Sequence, residues 1–179
     1  MAAYFALTAL VVPQLYSGAE INEPRPRIDV LISSDQISLG QSFDVTVRSH
    51  NDGGTADMQT VSVAFPSRDS LEEISITSYD FMQSPILIEA GEEIGSEYTA
   101  GEVTVTSQYS AIEAYSRPSH PGDTFTMILK VTPKEAGPFH VYAKSVAMPH
   151  LSDKSHFPDS GILDHQNEFV QQYVVEVSR

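Results

Sequence analysis

The sequence predicts an all-β protein, an antiparallel β-sandwich preceded by a short apolar N-terminal segment. Apolar residues alternate with polar ones over short runs, which is the pattern of strands that bury one face. Glycine, proline, asparagine and aspartate separate these runs. Sustained helical periodicity occurs nowhere after the N-terminal segment. These features together favour two packed sheets over a helical or mixed fold.

Nine short strands account for the alternation, and the residues from 108 to 121 would fit a single helical turn. The predicted strands are 28–32, 43–47, 61–65, 74–76, 86–88, 102–107, 124–132, 138–147 and 169–177. The segment 51–54 (NDGG) predicts a hairpin turn, because asparagine and glycine tolerate positive φ. A calcium loop using Asp52 and Asp57 is the less favoured interpretation, since the terminal bidentate glutamate is missing.

The segment 135–142 (EAGPFHVY) gives the most specific information about the fold. It follows a long alternating strand, contains a tight corner, and precedes a loop of about twenty residues, which is well above the usual loop length. Strand, corner, strand and elaborated loop is typical of the last third of an immunoglobulin-like sandwich. The predicted fold is therefore an immunoglobulin-like β-sandwich.

Composition excludes several classes of function. The chain has 179 residues, which fits one domain with a small anchor, and carries 10 Lys plus Arg against 24 Asp plus Glu. A net charge of -14 repels phosphate backbones, so nucleic acid is not expected as a partner. The absence of cysteine excludes disulfides, thiolate metal sites and cysteine nucleophiles.

The chain divides into an apolar segment over 1–16, a polar linker over 17–26, and the sandwich over 27–179. The apolar run is too short to cross a bilayer alone, and its alanine and leucine content favours a short helix. It resembles a signal-peptide core without the basic n-region. It could pack on its own domain, dip into a membrane or dock on a partner. The candidate docking residues are Tyr4, Phe5, Leu7, Leu10, Val11 and Val12.

The loop over 148–168 holds half of the six histidines and several aspartates. Imidazole and carboxylate groups suit Zn²⁺ or Cu²⁺, whereas carboxylates with backbone carbonyls suit Ca²⁺. A set of metal ligands from one loop usually needs partners held on strands, and His140, expected to point opposite to Phe139 and Val141, could be one. The alternative is a polar surface loop whose side chains form caps and turns. The candidate ligands are His140, His150, Asp153, His156, Asp159, Asp164 and His165.

Known catalytic motifs are missing from the sequence. It contains no Gly-x-Ser-x-Gly elbow, His-Glu-x-x-His pair, phosphate loop or dinucleotide fingerprint. Serine, histidine and aspartate are frequent, but a triad is defined by geometry rather than by composition. We therefore expect a protein that is not an enzyme.

Residues 36–65, with a glycine leading a strand, an Asn-x-Gly turn and a returning strand, resemble the opening of CARDB-type cell-surface immunoglobulin-like domains. The corner at 135–141 resembles that of immunoglobulin domains, with Phe139 at the usual position of the corner tyrosine and Val141 at that of the disulfide cysteine. This resemblance implies the fold and, by analogy, roles in adhesion, spacing or assembly.

The layout of 85–91 and 122–142 is also similar to the soluble β-domain of copper membrane monooxygenases. His140 matches the first histidine of that family's His-x-His pair, but Tyr142 replaces the second, and the N-terminal residue is not a histidine. The resemblance implies an extracytoplasmic β-domain attached to a membrane complex, with the copper site not retained.

Three functions follow as hypotheses. The first is a cell-surface or filament building block whose N-terminal segment docks on a neighbouring copy. The second is an accessory component of a membrane protein complex with an external β-domain. The third is a metal-binding domain that uses the 148–168 loop. All three place the protein outside the cytoplasm, at the cell surface or the membrane.

Overall fold

The computed structural model describes residues 23–66, 71–94, 105–149, 155–164 and 167–179. Within these ranges the chain forms thirteen strands and no helix, which confirms the all-β prediction. No described helix could therefore serve as a membrane span. The strands are β1 Pro26–Ile32, β2 Gln36–Ser38, β3 Phe43–Asn51, β4 Ala56–Phe65, β5 Leu71–Tyr79, β6 Ile86–Ile88, β7 Glu93–Ile94, β8 Val105–Thr106, β9 Ser110–Ser116, β10 Thr124–Pro133, β11 Gly137–Pro149, β12 Ile162–Leu163 and β13 Phe169–Ser178.

Two sheets form the sandwich. The first has four strands in the order β1-β3-β10-β5, all antiparallel. The second has the order β12-β13-β11-β4-β9-β6, and β2 adds to β13 in parallel. A separate two-stranded hairpin is made by β7 and β8.

The predicted N-terminal docking residues lie outside the described residues.

Strict alternation places the core between the sheets. On β3 the side chains of Phe43, Val45 and Val47 are buried, and the residues between them face outward. On β10, Leu129 and Val131 point to the same core. Complete burial of such a side chain contributes about 1.5–3 kcal/mol. The period-2 pattern in the sequence therefore has a direct energetic cause.

The predicted corner joins the two sheets. β10 ends at Pro133 in the first sheet and β11 begins at Gly137 in the second. Gly137 has a φ of 128°, a region that a residue with a Cβ rarely adopts. Phe139 then enters the core, with its ring centroid 5.8 Å from that of Phe43 and 6.2 Å from that of Phe65. Its ring anchors the start of β11.

The turn at 51–54 is not a hairpin, because β3 and β4 belong to different sheets. Asn51 organises this crossing. Its Nδ2 donates to the carbonyl oxygen of Gly54 at 2.8 Å, and its Oδ1 accepts from the backbone N–H of Gly53 at 3.1 Å. A Cβ on Gly53 would lie 2.1 Å from the carbonyl oxygen of Glu23. The glycine is needed because another backbone segment passes so close.

Residues 110–116 form strand β9 and not a helical turn. β9 lies between β4 and β6, with Ile112 and Ala114 in the core and Glu113 and Tyr115 on the outer face. Alanine and glutamate favour helices in isolation, but pairing and burial between two strands override that weak preference.

A buried polar network joins the sheets near one end of the sandwich. Gln59 is fully buried on β4, and its Nε2 donates to Ser49 Oγ at 2.7 Å and to Ser145 Oγ at 3.1 Å. Ser119 Oγ donates to Gln59 Oε1 at 2.7 Å. Since every polar atom of the amide has a partner, the network stabilises one relative position of the sheets.

Candidate interaction surface

Among the described residues, strand β5 is the terminal strand of the first sheet and pairs with β10 on one side only. Its charged residues, Glu72 and Glu73, are at its start. The stretch 74–79 (ISITSY) has no charge and no proline. Natural edge strands are usually protected against pairing by lysine, proline, bulges or short length. The second half of β5 lacks both charge and proline, although its pairing with β10 contains register shifts.

The core side of β5 is incompletely covered. Ile76 pairs with Leu129, and Tyr79 pairs with Met127, so the side chains of each pair share the inner face. Leu129 and Met127 are fully buried, whereas Ile76 is 37% exposed and Tyr79 is 46% exposed. The sandwich is therefore open at this edge, and apolar side chains meet solvent there.

The chain after β5 carries two more exposed apolar side chains. The backbone N–H of Met82 donates to Ser116 Oγ at 3.1 Å, which fastens the segment to β9. Leu87 on β6 pairs with the core residue Ile112 and thus also points inward. Met82 is 66% exposed and Leu87 is 39% exposed. We define the open edge as β5 with the exposed side chains of Ile76, Tyr79, Met82 and Leu87.

The opposite edge of the first sheet, β1, is protected. It begins with Pro26 and carries Arg27 and Asp29. The hydroxyl of Tyr173, on β13 of the second sheet, is hydrogen-bonded to the backbone of Val30. A proline, two charges and a covering tyrosine disfavour addition of another strand. Of the two edges of the first sheet, β5 is the better acceptor.

The predicted ligand His140 lies on the outer face of β11. Its Nδ1 is 3.0 Å from Nε2 of Gln172, and its ring stacks on Tyr142 with a centroid distance of 6.4 Å. The Tyr142 ring in turn stacks on Tyr109 at 6.2 Å. As predicted, His140 points opposite to the buried Phe139. The rings of His140, Tyr142 and Tyr109 therefore form a stacked row.

His156 and Asp159 lie apart from that row in the chain's long loop. The backbone of His156 pairs with that of Ala147 through hydrogen bonds of 2.8 and 2.9 Å. Its Nδ1 is 3.9 Å from Oε2 of Glu23. Asp159 is exposed. The remaining predicted ligands in the loop, His150, Asp153 and His165, lie outside the described residues.

Asp164 belongs to an ion cluster around Lys144. Lys144 Nζ is 3.0 Å from Asp164 Oδ2 and also contacts Glu168 Oε2. It lies 5.6 Å from the centroid of the Phe157 ring. The three charged side chains are only 17–22% exposed, so the cluster fastens the loop to the outer face of the second sheet. Lys144 was not predicted from the sequence, and no local motif would have revealed it.

Glu113 is the most perturbed titratable group in the described part of the chain. It is 6% exposed on the outer face of β9. Burial raises its pKa from 4.5 to about 7, while a hydrogen bond with Ser62 and the charge of Lys144 oppose the rise. A carboxyl group in this environment changes protonation near neutral pH.

The described residues do not bring together three or more His, Asp or Glu side chains in a metal-binding group. The predicted divalent-metal site depends partly on residues outside the described ranges, and it stays a prediction.

An Asp29–His50–Thr124 chain is the arrangement most similar to a catalytic relay. His50 Nε2 is 2.9 Å from Asp29 Oδ2, and His50 Nδ1 is 2.9 Å from Thr124 Oγ1. The Asp29 side chain is 76% exposed, on the outer face of the first sheet. Water screens such a pair, so the geometry fits a surface contact between strands better than an activated nucleophile.

A small cavity of about 220 Å³ lies at the corner between β10 and β11. Phe65, Pro66, Pro138 and Phe139 contribute to its lining, with His140 beside them. Small-molecule sites usually occupy about 300–1,000 Å³ and contain several convergent polar groups. The cavity is therefore a weaker candidate than the open edge.

No protein-family model matches the chain, and no curated protein matches it either. Several solved structures are similar in architecture. A CARDB domain from Pyrococcus furiosus, solved in complex with di-metal ions, is 13% identical, with a TM-score of 0.44 over 87% of this chain and 94% of that chain. The enzyme AvmM, which catalyses macrocyclization in alchivemycin A biosynthesis, is 13% identical, with a TM-score of 0.45 over 88% and 90% of the two chains.

The major pilin of Bacillus cereus, BcpA, is 14% identical, with a TM-score of 0.42 over 86% of this chain and 40% of that chain. The predicted resemblance to a CARDB domain is thus found as a structural similarity, and the two packed sheets of the chain itself confirm the predicted sandwich. A fold alone does not determine a function, so function must be argued from this chain's own surfaces.

Proposed function

We propose that this protein is a non-enzymatic structural or assembly module that acts outside the cytoplasm, at the cell surface or the membrane. It binds protein partners, foremost copies of itself, through the open edge. The observation that supports this proposal is the second half of β5, which has neither charge nor proline and lies next to exposed apolar side chains on the inner face. Addition of a strand to such an edge is a recurring mode of protein recognition.

Backbone pairing alone would give limited affinity. A six-residue strand added to 74–79 makes about six hydrogen bonds, each contributing about 0.5–1.5 kcal/mol net. Loss of translational and rotational freedom costs about 4–15 kcal/mol. Burial of the apolar side chains of the open edge, worth up to about 1.5–3 kcal/mol each, is needed to reach stable association. Both features occur together at β5.

The net charge of -14 opposes association between copies. An uncharged contact strand allows close approach without placing carboxylates opposite each other. Salt shortens the range of the remaining repulsion to about 8 Å at physiological ionic strength. We therefore expect association to strengthen as the salt concentration rises, which is opposite to the behaviour of a contact held by ion pairs.

Sedimentation velocity on the full chain tests this function. Ile76→Lys places a charge on β5 and should shift the protein to monomer. Leu31→Lys is the matched control, because Leu31 is 69% exposed on β1 and receives the same charge. It should leave the distribution of species unchanged. Equal association of wild type and Ile76→Lys would contradict the proposed surface.

A further inference from the structure

We propose that the strand that completes the open edge is the segment Ala2–Val12 of a second copy of this chain, paired antiparallel to β5. The inference rests on the proposed function and identifies the partner. The edge of β5 has no partner strand among the described residues, and the apolar run is the uncharged segment noted in the sequence.

The composition of the segment matches the edge. Its eleven residues carry no charged side chain, and β5 is uncharged over 74–79. Tyr4, Phe5, Thr8, Val11 and Val12 are strand-favouring residue types. An isolated helix of this length is marginal in water, so the surface on which the segment docks decides its conformation. As a strand, it would direct alternate side chains toward the exposed apolar residues of the acceptor.

Other parts of the chain outside the described residues fit less well. The segments 67–70, 95–104 and 150–154 contain charged residues, and 165–166 has only two residues. Only Ala2–Val12 is both long enough to pair with the whole uncharged stretch of β5 and free of charge.

The sheet register shows where the described chain begins relative to β5. Pro26 pairs with Asn51, Thr124 pairs with His50, and Met127 pairs with Tyr79. The start of β1 is therefore at the same end of the sheet as the C-terminal end of β5. A segment leaving Glu23 reaches the Tyr79 end of its own β5 first.

This position disfavours antiparallel pairing within one chain. Val12 would have to lie at the Leu71 end. The pairings put Leu71 level with Pro133 and the start of β1 level with Asp123, which is about four strand spacings (~19 Å) across and ten residues (~33 Å) along the sheet. The direct distance from the start of β1 is about 38 Å, and residues 23–25 continue away from the Leu71 end, because the carbonyl oxygens of Glu23 and Arg25 accept from Gly54 and Asp52. The ten residues 13–22 span at most about 36 Å when fully extended. A neighbouring copy is free of this restriction, because its position is set by the pairing itself.

The contact is heterologous, since the donor segment and the acceptor edge are different surfaces. Each copy offers one of each, so repeated pairing gives a head-to-tail chain unless the geometry closes into a ring. Removing the donor from one copy and the acceptor from another should leave a pair that can form one contact only.

Three full-chain variants test this directly. The donor-deficient variant carries Leu7→Asp and Leu10→Asp, and the acceptor-deficient variant carries Ile76→Lys. A second acceptor variant, Ser78→Lys, leaves the apolar side chains in place in case Ile76→Lys does not fold. Circular dichroism and thermal unfolding confirm that each variant is folded. Molar mass is then measured by light scattering for wild type, for each variant and for equimolar mixtures.

We expect wild type to form assemblies, each variant alone to be monomeric, and the mixture to form a 1:1 dimer. A mixture that stays monomeric would overturn the inference, and so would a donor-deficient variant that still assembles. In the second case the proposed function stands if the acceptor variants are monomeric. If the acceptor variants assemble like wild type, or wild type is itself monomeric, the proposed function fails as well.

Discussion

Replacement of Glu113 by glutamine should stabilise the protein at neutral and alkaline pH and leave it nearly unchanged in acid. Glu113 is almost completely buried, and its pKa is raised from 4.5 to about 7 mainly by burial. Glutamine has the same shape, can still hydrogen-bond with Ser62, and carries no charge to desolvate. The change therefore removes the ionisation alone.

The magnitude follows from linkage between protonation and folding. The folded state holds the proton more tightly than the unfolded state, so the free energy of unfolding falls as the pH rises from 4.5 to about 7. At 1.36 kcal/mol per pKa unit, the total decrease is about 3 kcal/mol. Above pH 7 the contribution is constant. Glu113→Gln should be more stable than wild type by about 3 kcal/mol at pH 8 and by close to zero at pH 4.

Urea unfolding of both proteins at intervals between pH 4 and pH 8.5 measures this difference. The two chains differ at this one residue only, so the contributions of all other ionisable groups cancel in the comparison. Glu176→Gln removes the same charge from an exposed site on β13 and serves as the control. A stability difference between Glu113→Gln and wild type that does not change with pH would refute the reasoning.

Three further predictions concern packing and the long loop. Gly53→Ala should lower the free energy of unfolding, measured in urea, by about 1–3 kcal/mol or more, because the new Cβ would clash with the backbone at Glu23. A variant as stable as wild type would show that the backbone at 51–54 can move away from Glu23. Gln59→Leu should lose about 1–3 kcal/mol, since Ser119 and its partners keep buried polar atoms without the amide; a neutral result would mean that the network reorganises around leucine. If the loop binds a divalent metal, calorimetric titration with Zn²⁺ should show one site. His156→Ala should lower the affinity of that site tenfold or more without loss of folding. Identical titration curves for the variant and wild type would show that His156 is not a ligand.

Much of the sandwich could be predicted because its strands obey a local rule. In β3, and in β10 from Met127 onward, every second residue is buried, so burial imposes on the sequence the period that reveals these strands. The corner at 135–142 was predictable for a similar reason, since Gly137 permits the turn and Phe139, two residues later, fills the core. These features depend on neighbours in the chain.

Features that depend on distant residues were not predictable. β9 has the composition of a helix, and it becomes a strand because β4 and β6 pair with both its sides. The turn at 51–54 looks like a hairpin locally, and only the sheet order shows that it crosses between layers. The same holds for the open edge, since the pattern of β5 does not say which strand will be terminal. Lys144 meets its carboxylates 20 and 24 residues later in the chain.

Hydrogen exchange at β5 tests most directly whether the open edge mediates assembly. The amides of 74–79 that do not bond to β10 should exchange freely in dilute solution and become protected as protein concentration rises into the range where the chain associates. The amides of β1, at the protected edge of the same sheet, should show no such change. Association without added protection at 74–79, or with protection confined to another surface, would contradict the account.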